Sequence, residues 1–134
     1  MTRILVADDE AGVCSVIQLL LRREGYQVVT CPDGQAALDL LAAQDFAAVL
    51  TDLNLPRVHG ARVIAAARAA RPDLPIVVMS GDGVCGDGEA SLPRIEGLYH
   101  LPKPFKPRDL VALVGAITGR FRRAGARLAD GAVA

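Results

Sequence analysis

Apolar residues along the chain come in two rhythms that alternate from end to end. Short runs rich in β-branched and aliphatic residues, "RILVA" (3–7), "QVVTC" (27–31), "FAAVLT" (46–51), "IVVMS" (76–80) and "LYHL" (98–101), read as strands. Between them the apolar positions recur every three or four residues, the period of a helix packed on one side. The first such stretch runs from about Glu10 to Glu24, with Val13, Ile17, Leu20 and Leu21 on one face and Gly25 as its stop. The second, "PDGQAALDLLAAQ", has Asp33 as its N-cap. A third covers about Gly60 to Ala70 and is closed by "RPDLP", because proline disfavours helix in the residue before it. The last, "KPRDLVALVGAITGRF" (106–121), carries a Leu110, Leu113, Val114, Ile117, Phe121 stripe.

This order predicts an α/β domain with a parallel sheet and helices on both faces. The runs "AAVL" and "IVVM" are apolar at every position, as central strands covered twice must be. One stretch breaks the rhythm. Residues 81–97, "GDGVCGDGEASLPRIEG", hold five glycines and Pro93 where the alternation calls for a helix, so a short or mobile helix is expected there. The end of the chain, "RFRRAGARLADGAVA", reads as a tail or linker stub over 122–134 after a domain of 1–121.

Composition narrows the class without naming a chemistry. The 134 residues are 51% hydrophobic and 22% charged, with zero net charge, which describes one ordinary globular domain and calls for neither nucleic acid nor an anionic membrane. No apolar run approaches bilayer length, and "MTRILVADDE" meets acids too early for a secretory signal. Cys14, Cys31 and Cys85 are odd in number and lack a CxxC, so free thiols in a reducing cytoplasm are expected.

The chemistry gathers where the strands end. In an open parallel sheet ligands sit beyond the carboxyl ends of the strands. Here those ends are Asp8-Asp9-Glu10, Asp52, Ser80-Gly81-Asp82 and Lys103-Pro104. Acids alone at a helix start would be ordinary partners of the helix dipole. Several carboxylates at one rim repel unless a cation intervenes, and a hard divalent ion with oxygen ligands, Mg²⁺ best, suits them. Lys103 supplies a compact positive charge, Ser80 a hydroxyl donor, and a carboxylate such as Asp52 can itself attack phosphorus.

The motifs "ILVADDE", "LTDLNLP" followed by Gly60, "IVVMSG" and "LPKPF", in this order, resemble the receiver domain of two-component response regulators over residues 3 to 121. The resemblance implies a flavodoxin-like fold with strand order 2-1-3-4-5. It further implies Asp52 as phosphoacceptor, Mg²⁺ at Asp9, Asp8, Asp52 and the backbone carbonyl of Asn54, Lys103 and Ser80 on the phosphoryl group, and a cis Lys103-Pro104 bond. The implied partners are a histidine kinase or histidine phosphotransfer protein and a downstream protein target, with the receiver a cytoplasmic monomer or weak dimer of bacterial type and not an enzyme. Receivers commonly carry an aromatic switch residue three positions before the lysine. His100 stands there, with Tyr99 on the opposite face of the strand, so His100 is expected to serve as the switch. Two other classes compete. A phosphorylation-independent scaffold has no physical need for clustered acids. A phosphatase or phosphotransferase with an aspartyl nucleophile needs an acid/base two residues on, where Asn54 stands.

Overall fold

The structure, a computed structural model, describes residues 2–80 and 98–119. The expected helix within 81–97, the tail and Phe121 lie outside the described residues. Five parallel strands, β1 (Arg3–Ala7), β2 (Gln27–Cys31), β3 (Ala48–Asp52), β4 (Ile76–Ser80) and β5 (Leu98–Pro102), form one sheet in the order β2-β1-β3-β4-β5. This is the flavodoxin-like arrangement. Four helices are described: α1 (Ala11–Arg23), α2 (Gly34–Ala43), α3 (Gly60–Ala70) and α4 (Pro107–Thr118).

Period-two alternation along the strands divides the interior into two cores. Ile4, Val6, Ala48, Leu50, Val77 and Met79 face α1 and α4, where they meet Ile17, Leu21, Leu110 and Val114. Leu5, Ala7, Val49, Ile76 and Val78 face α2 and α3, where they meet Ala37, Val63, Ile64 and Ala67. Every residue of β3 before Asp52 is buried, so the strand is rigid up to the point where it delivers that carboxylate.

The helix boundaries have local causes. Gly25 takes a left-handed φ of 93°, its N–H bonding Arg22 O at 3.0 Å while the Tyr26 N–H bonds Leu21 O at 3.1 Å. That paired closure ends α1 and turns Tyr26 into the core beneath Leu21. The Asp33 carboxylate accepts from the Ala36 N–H at 2.8 Å and starts α2. His59 does the same for α3, its Nδ1 accepting from the Ala61 N–H at 3.1 Å, a cap that the sequence pattern did not announce. The last helix is shorter than its 106–121 periodicity implies. It stops at Thr118, whose hydroxyl bonds back to Val114 O at 2.8 Å, and Gly119 turns left-handed at φ 85°. β3 also starts two residues later than the "FAAVLT" run, since Phe46 fills the core from outside the strand.

Candidate functional site

The carboxyl ends of β1, β3 and β5 converge, and their polar residues meet there. Asp8 follows β1 directly and is 1% exposed. Its backbone N–H extends the ladder to Cys31 O at 3.1 Å, its carbonyl accepts the Cys14 thiol at 3.3 Å, and its Oδ1 accepts the Glu10 N–H at 2.9 Å. Asp52 closes β3, with Oδ1 accepting the Asn54 N–H at 3.2 Å. Oxygen atoms of Asp8, Asp9 and Asp52 all lie within 4.8 Å of one another.

Lys103, just after β5, reaches into this group. Its Nζ donates to Asp8 Oδ2 at 2.7 Å, to Asp52 Oδ2 at 3.2 Å and to Glu10 Oε1 at 3.4 Å. Burial on its own would push the ammonium down. The hydrogen bond to Asp8 and the charge of Asp52 outweigh that loss of hydration and hold it above the ordinary lysine range, so it stays charged. The Lys103-Pro104 bond is cis.

One ammonium faces four carboxylates here, counting Glu10. The charge is unbalanced, and the donors are hard oxygens at one rim of an apolar sheet. Such a set fits a small divalent cation such as Mg²⁺, which binds through one or two carboxylates and keeps its remaining waters.

The backbone around Asp52 is as confined as its side chain. A Cβ at Gly60, the first residue of α3, would collide with the Asp52 carbonyl and the Leu53 backbone, and the Gly60 N–H bonds Leu53 O at 2.8 Å. Helix α3 therefore presses directly on the strand end that presents the carboxylate.

The response regulator receiver domain family matches residues 4–115. The chain belongs to this family. Among its relatives is the response regulator MprA of Mycolicibacterium vanbaalenii, 36% identical over 118 residues, covering 88% of this chain and 51% of the relative. This receiver thus spans about half the length of the curated relatives it matches. Among solved structures, a response regulator receiver protein from Sinorhizobium medicae superposes with a TM-score of 0.78 at 28% identity, covering 88% of this chain and 94% of the other. The receiver domain of the sensor histidine kinase PA1611 from Pseudomonas aeruginosa gives 0.77 at 28% identity, covering 88% and 98%. That structure has a magnesium ion coordinated in its active site cleft.

Of the residues expected at the site, Asp8, Asp9, Asp52 and Lys103 come together in this receiver, and Asn54 adjoins Asp52. Ser80 ends β4 with its backbone in register with Pro102, but the expected role of its hydroxyl lies outside the described residues. His100 is half-buried in the middle of β5, opposite Val78, away from the Lys103 cluster along the strand. Tyr99 is 38% exposed beside it. Leu98 packs into one core and Leu101 into the other, so Tyr99 and His100 do lie on opposite faces. Glu10 stands at the first strand end in the sequence, but no role was expected of it there. The third acid of "ADDE" was the available signal, since it is the N-cap of α1 yet makes no side-chain bond to its own helix and turns to Lys103 instead.

Among the described residues no helix is long and apolar enough to cross a membrane. Cys14 and Cys31 are free thiols, and burial pushes the Cys31 thiol up to about 12.

Proposed function

We propose that this receiver accepts a phosphoryl group on Asp52 from the phosphohistidine of a histidine kinase or phosphotransfer protein, in a magnesium-dependent reaction. The chain is thereby a switch in two-component signalling and not an enzyme acting on a separate substrate. The observation that carries this reading is the Asp52 carboxylate at the end of a buried strand, bonded at 3.2 Å to Lys103 and grouped with Asp8 and Asp9.

The chemistry follows from the groups present. An Asp52 carboxylate oxygen attacks phosphorus as the P–N bond to the donor imidazole breaks. Its electron pair leaves on the ring nitrogen, and an acyl phosphate remains on Asp52. Lys103 neutralises charge on the transferred oxygens, at the cost of its bond to the free carboxylate. Asp8, Asp9, Asp52 and the Asn54 carbonyl would hold Mg²⁺, which supplies further charge neutralisation at the phosphoryl oxygens when bound. The rigid strand fixes the nucleophile, so little positional freedom remains to be lost on reaction. Ser80 is assigned to one phosphoryl oxygen and His100 to the switch that alters the partner-binding face, both from the resemblance to receivers.

Incubation with Mg²⁺ and acetyl phosphate, read by intact mass, tests the proposal. The expected result is one added phosphoryl group, absent in chelator and absent in Asp52→Asn. An adduct that persists in Asp52→Asn would overturn the assignment. Absence of any adduct, together with no response to Mg²⁺, would instead favour a phosphorylation-independent scaffold.

A further inference from the structure

The loop between β3 and α3, residues 53–59, carries Asn54 and is held from two sides. On one side Gly60 packs on the end of its own strand. On the other, the start of α2 meets the loop's outer turn. The Gly34 N–H donates to Pro56 O at 3.2 Å, and the Val58 N–H bonds the same Pro56 carbonyl at 2.7 Å. A Cβ at Gly34 would occupy the position of the Val58 carbonyl. Between them Arg57 is held at φ 71°, a left-handed backbone that a long side chain seldom adopts unless its surroundings impose it.

Two contacts are available to impose it, and their sizes differ. The Arg57 guanidinium lies 3.8 Å from the Asp33 carboxylate, but its side chain is 66% exposed, so water screens the pair and it contributes little. The Gly34 contact is buried, combining a backbone hydrogen bond with a surface that only a missing Cβ permits. Gly34 has no need of a left-handed φ, since positive values at glycine are confined to Gly25 and Gly119 among the described residues. Space for the loop is therefore what the position requires.

We propose that Gly34 is a positioning residue for the phosphoacceptor site: the first turn of α2 clamps Pro56–Val58 and thereby sets where the Asn54 backbone stands relative to Asp52. Asp33 assists by fixing that turn through its cap to Ala36. The metal-facing role of Asn54 belongs to the function proposed above, and this inference rests on it. The clamp acts through the loop and touches no reacting atom.

The test compares Gly34→Ala with Gly12→Ala. Gly12 lies in the first turn of α1, two residues after Glu10, and a Cβ there meets nothing within 4 Å. Backbone amide resonances in metal-free protein, followed by Mg²⁺ titration, give two readouts independent of phosphorylation. In Gly34→Ala the Asn54 amide shifts before any metal is added, and the Mg²⁺ dissociation constant rises about tenfold or more, the usual effect of displacing an outer partner of a metal site. Gly12→Ala leaves both as in the parent chain. An unshifted Asn54 amide and unchanged Mg²⁺ affinity in a folded Gly34→Ala would overturn the clamp. Should Gly34→Ala fail to fold, the parent chain decides. The Gly34 and Ala36 amides must respond to Mg²⁺ with the same midpoint as Asn54, and their standing still would overturn the inference equally. A parent chain that ignores Mg²⁺ would overturn the site reading itself, and the metal-free Asn54 shift in Gly34→Ala would still decide the clamp.

Discussion

Lys103 bonds three carboxylates at once, and the most buried of them has most to lose. The Asp8 side chain is fully enclosed, and its other donor among the described residues is the Glu10 N–H. Removing a cation from a buried acid costs far more than forming the pair contributed, because the orphaned charge stays out of water. Lys103→Met is accordingly expected to lower metal-free stability at neutral pH by about 3 kcal/mol, measured by urea unfolding in chelator. Saturating Mg²⁺ should restore much of that loss, because an ion that binds only the folded chain stabilises it by mass action. An equal loss with and without Mg²⁺ would show that the ion does not engage these carboxylates. Glu10 is a milder case. Its carboxylate is 63% exposed, so Glu10→Gln is expected to leave stability almost unchanged while lowering Mg²⁺ affinity through the charge removed from the rim.

Two helices around the site, α2 and α3, begin at a glycine required by the segment packed against it and not by helix periodicity. Gly60 shows this most directly. In an exposed helix alanine is the better residue by about 1 kcal/mol, yet here the added methyl would strike the Asp52 carbonyl. Gly60→Ala should therefore destabilise the fold by about 2 kcal/mol or more and slow phosphoryl uptake, whereas Gly12→Ala should be neutral or stabilising. Thermal unfolding of the two variants side by side checks the contrast. The same distinction explains what could be read in advance. Strand and helix positions followed from burial, which writes short continuous apolar runs such as "IVVM" into strands covered on both faces and a spacing of three or four, as in Val13, Ile17, Leu20 and Leu21, into helices. The acids and Lys103 were legible because a rule of the fold places strand ends together. Order 2-1-3-4-5 came from resemblance to receivers, since alternation alone does not rank strands. The His59 cap, the left-handed Arg57 and the fit of Gly34 against Val58 were not legible. The His59 cap is local but uses an imidazole where Ser, Thr, Asp or Asn is the usual signal, and the other two depend on which loop lies against which helix, which no local pattern encodes. The end of α4 at Thr118 went unread for a related reason, because apolar period continues past the point where Gly119 turns the backbone.

At the scale of the sheet, two cores lie on opposite faces and share no helix among the described residues, and the proton balance of one of them is expected to limit alkaline tolerance. Cys31 is buried against α2 and α3, and loss of hydration pushes its thiol up to about 12 from 9.0. A raised value means the folded chain keeps the proton after the unfolded chain has released it. Its contribution is intact below about pH 9 and drains away as pH rises toward 12, so stability falls across that window. Cys31→Ala should make the fall shallower without abolishing it, because Lys103 is also raised and loses its proton from the unfolded chain first. Unfolding midpoints between pH 8 and 11 give the slopes, and parallel slopes would contradict the assignment. The position of Lys103 has one more consequence. It lies 95 residues after Asp8 and 51 after Asp52, so the acids leave the ribosome long before the ammonium that pairs with them. A nascent chain can lay down β1 to β4 and still present an unneutralised rim. On the function proposed above, a chain made only as far as β4 lacks the cation that faces the phosphoryl group, and it is expected to take one up more slowly than the finished domain.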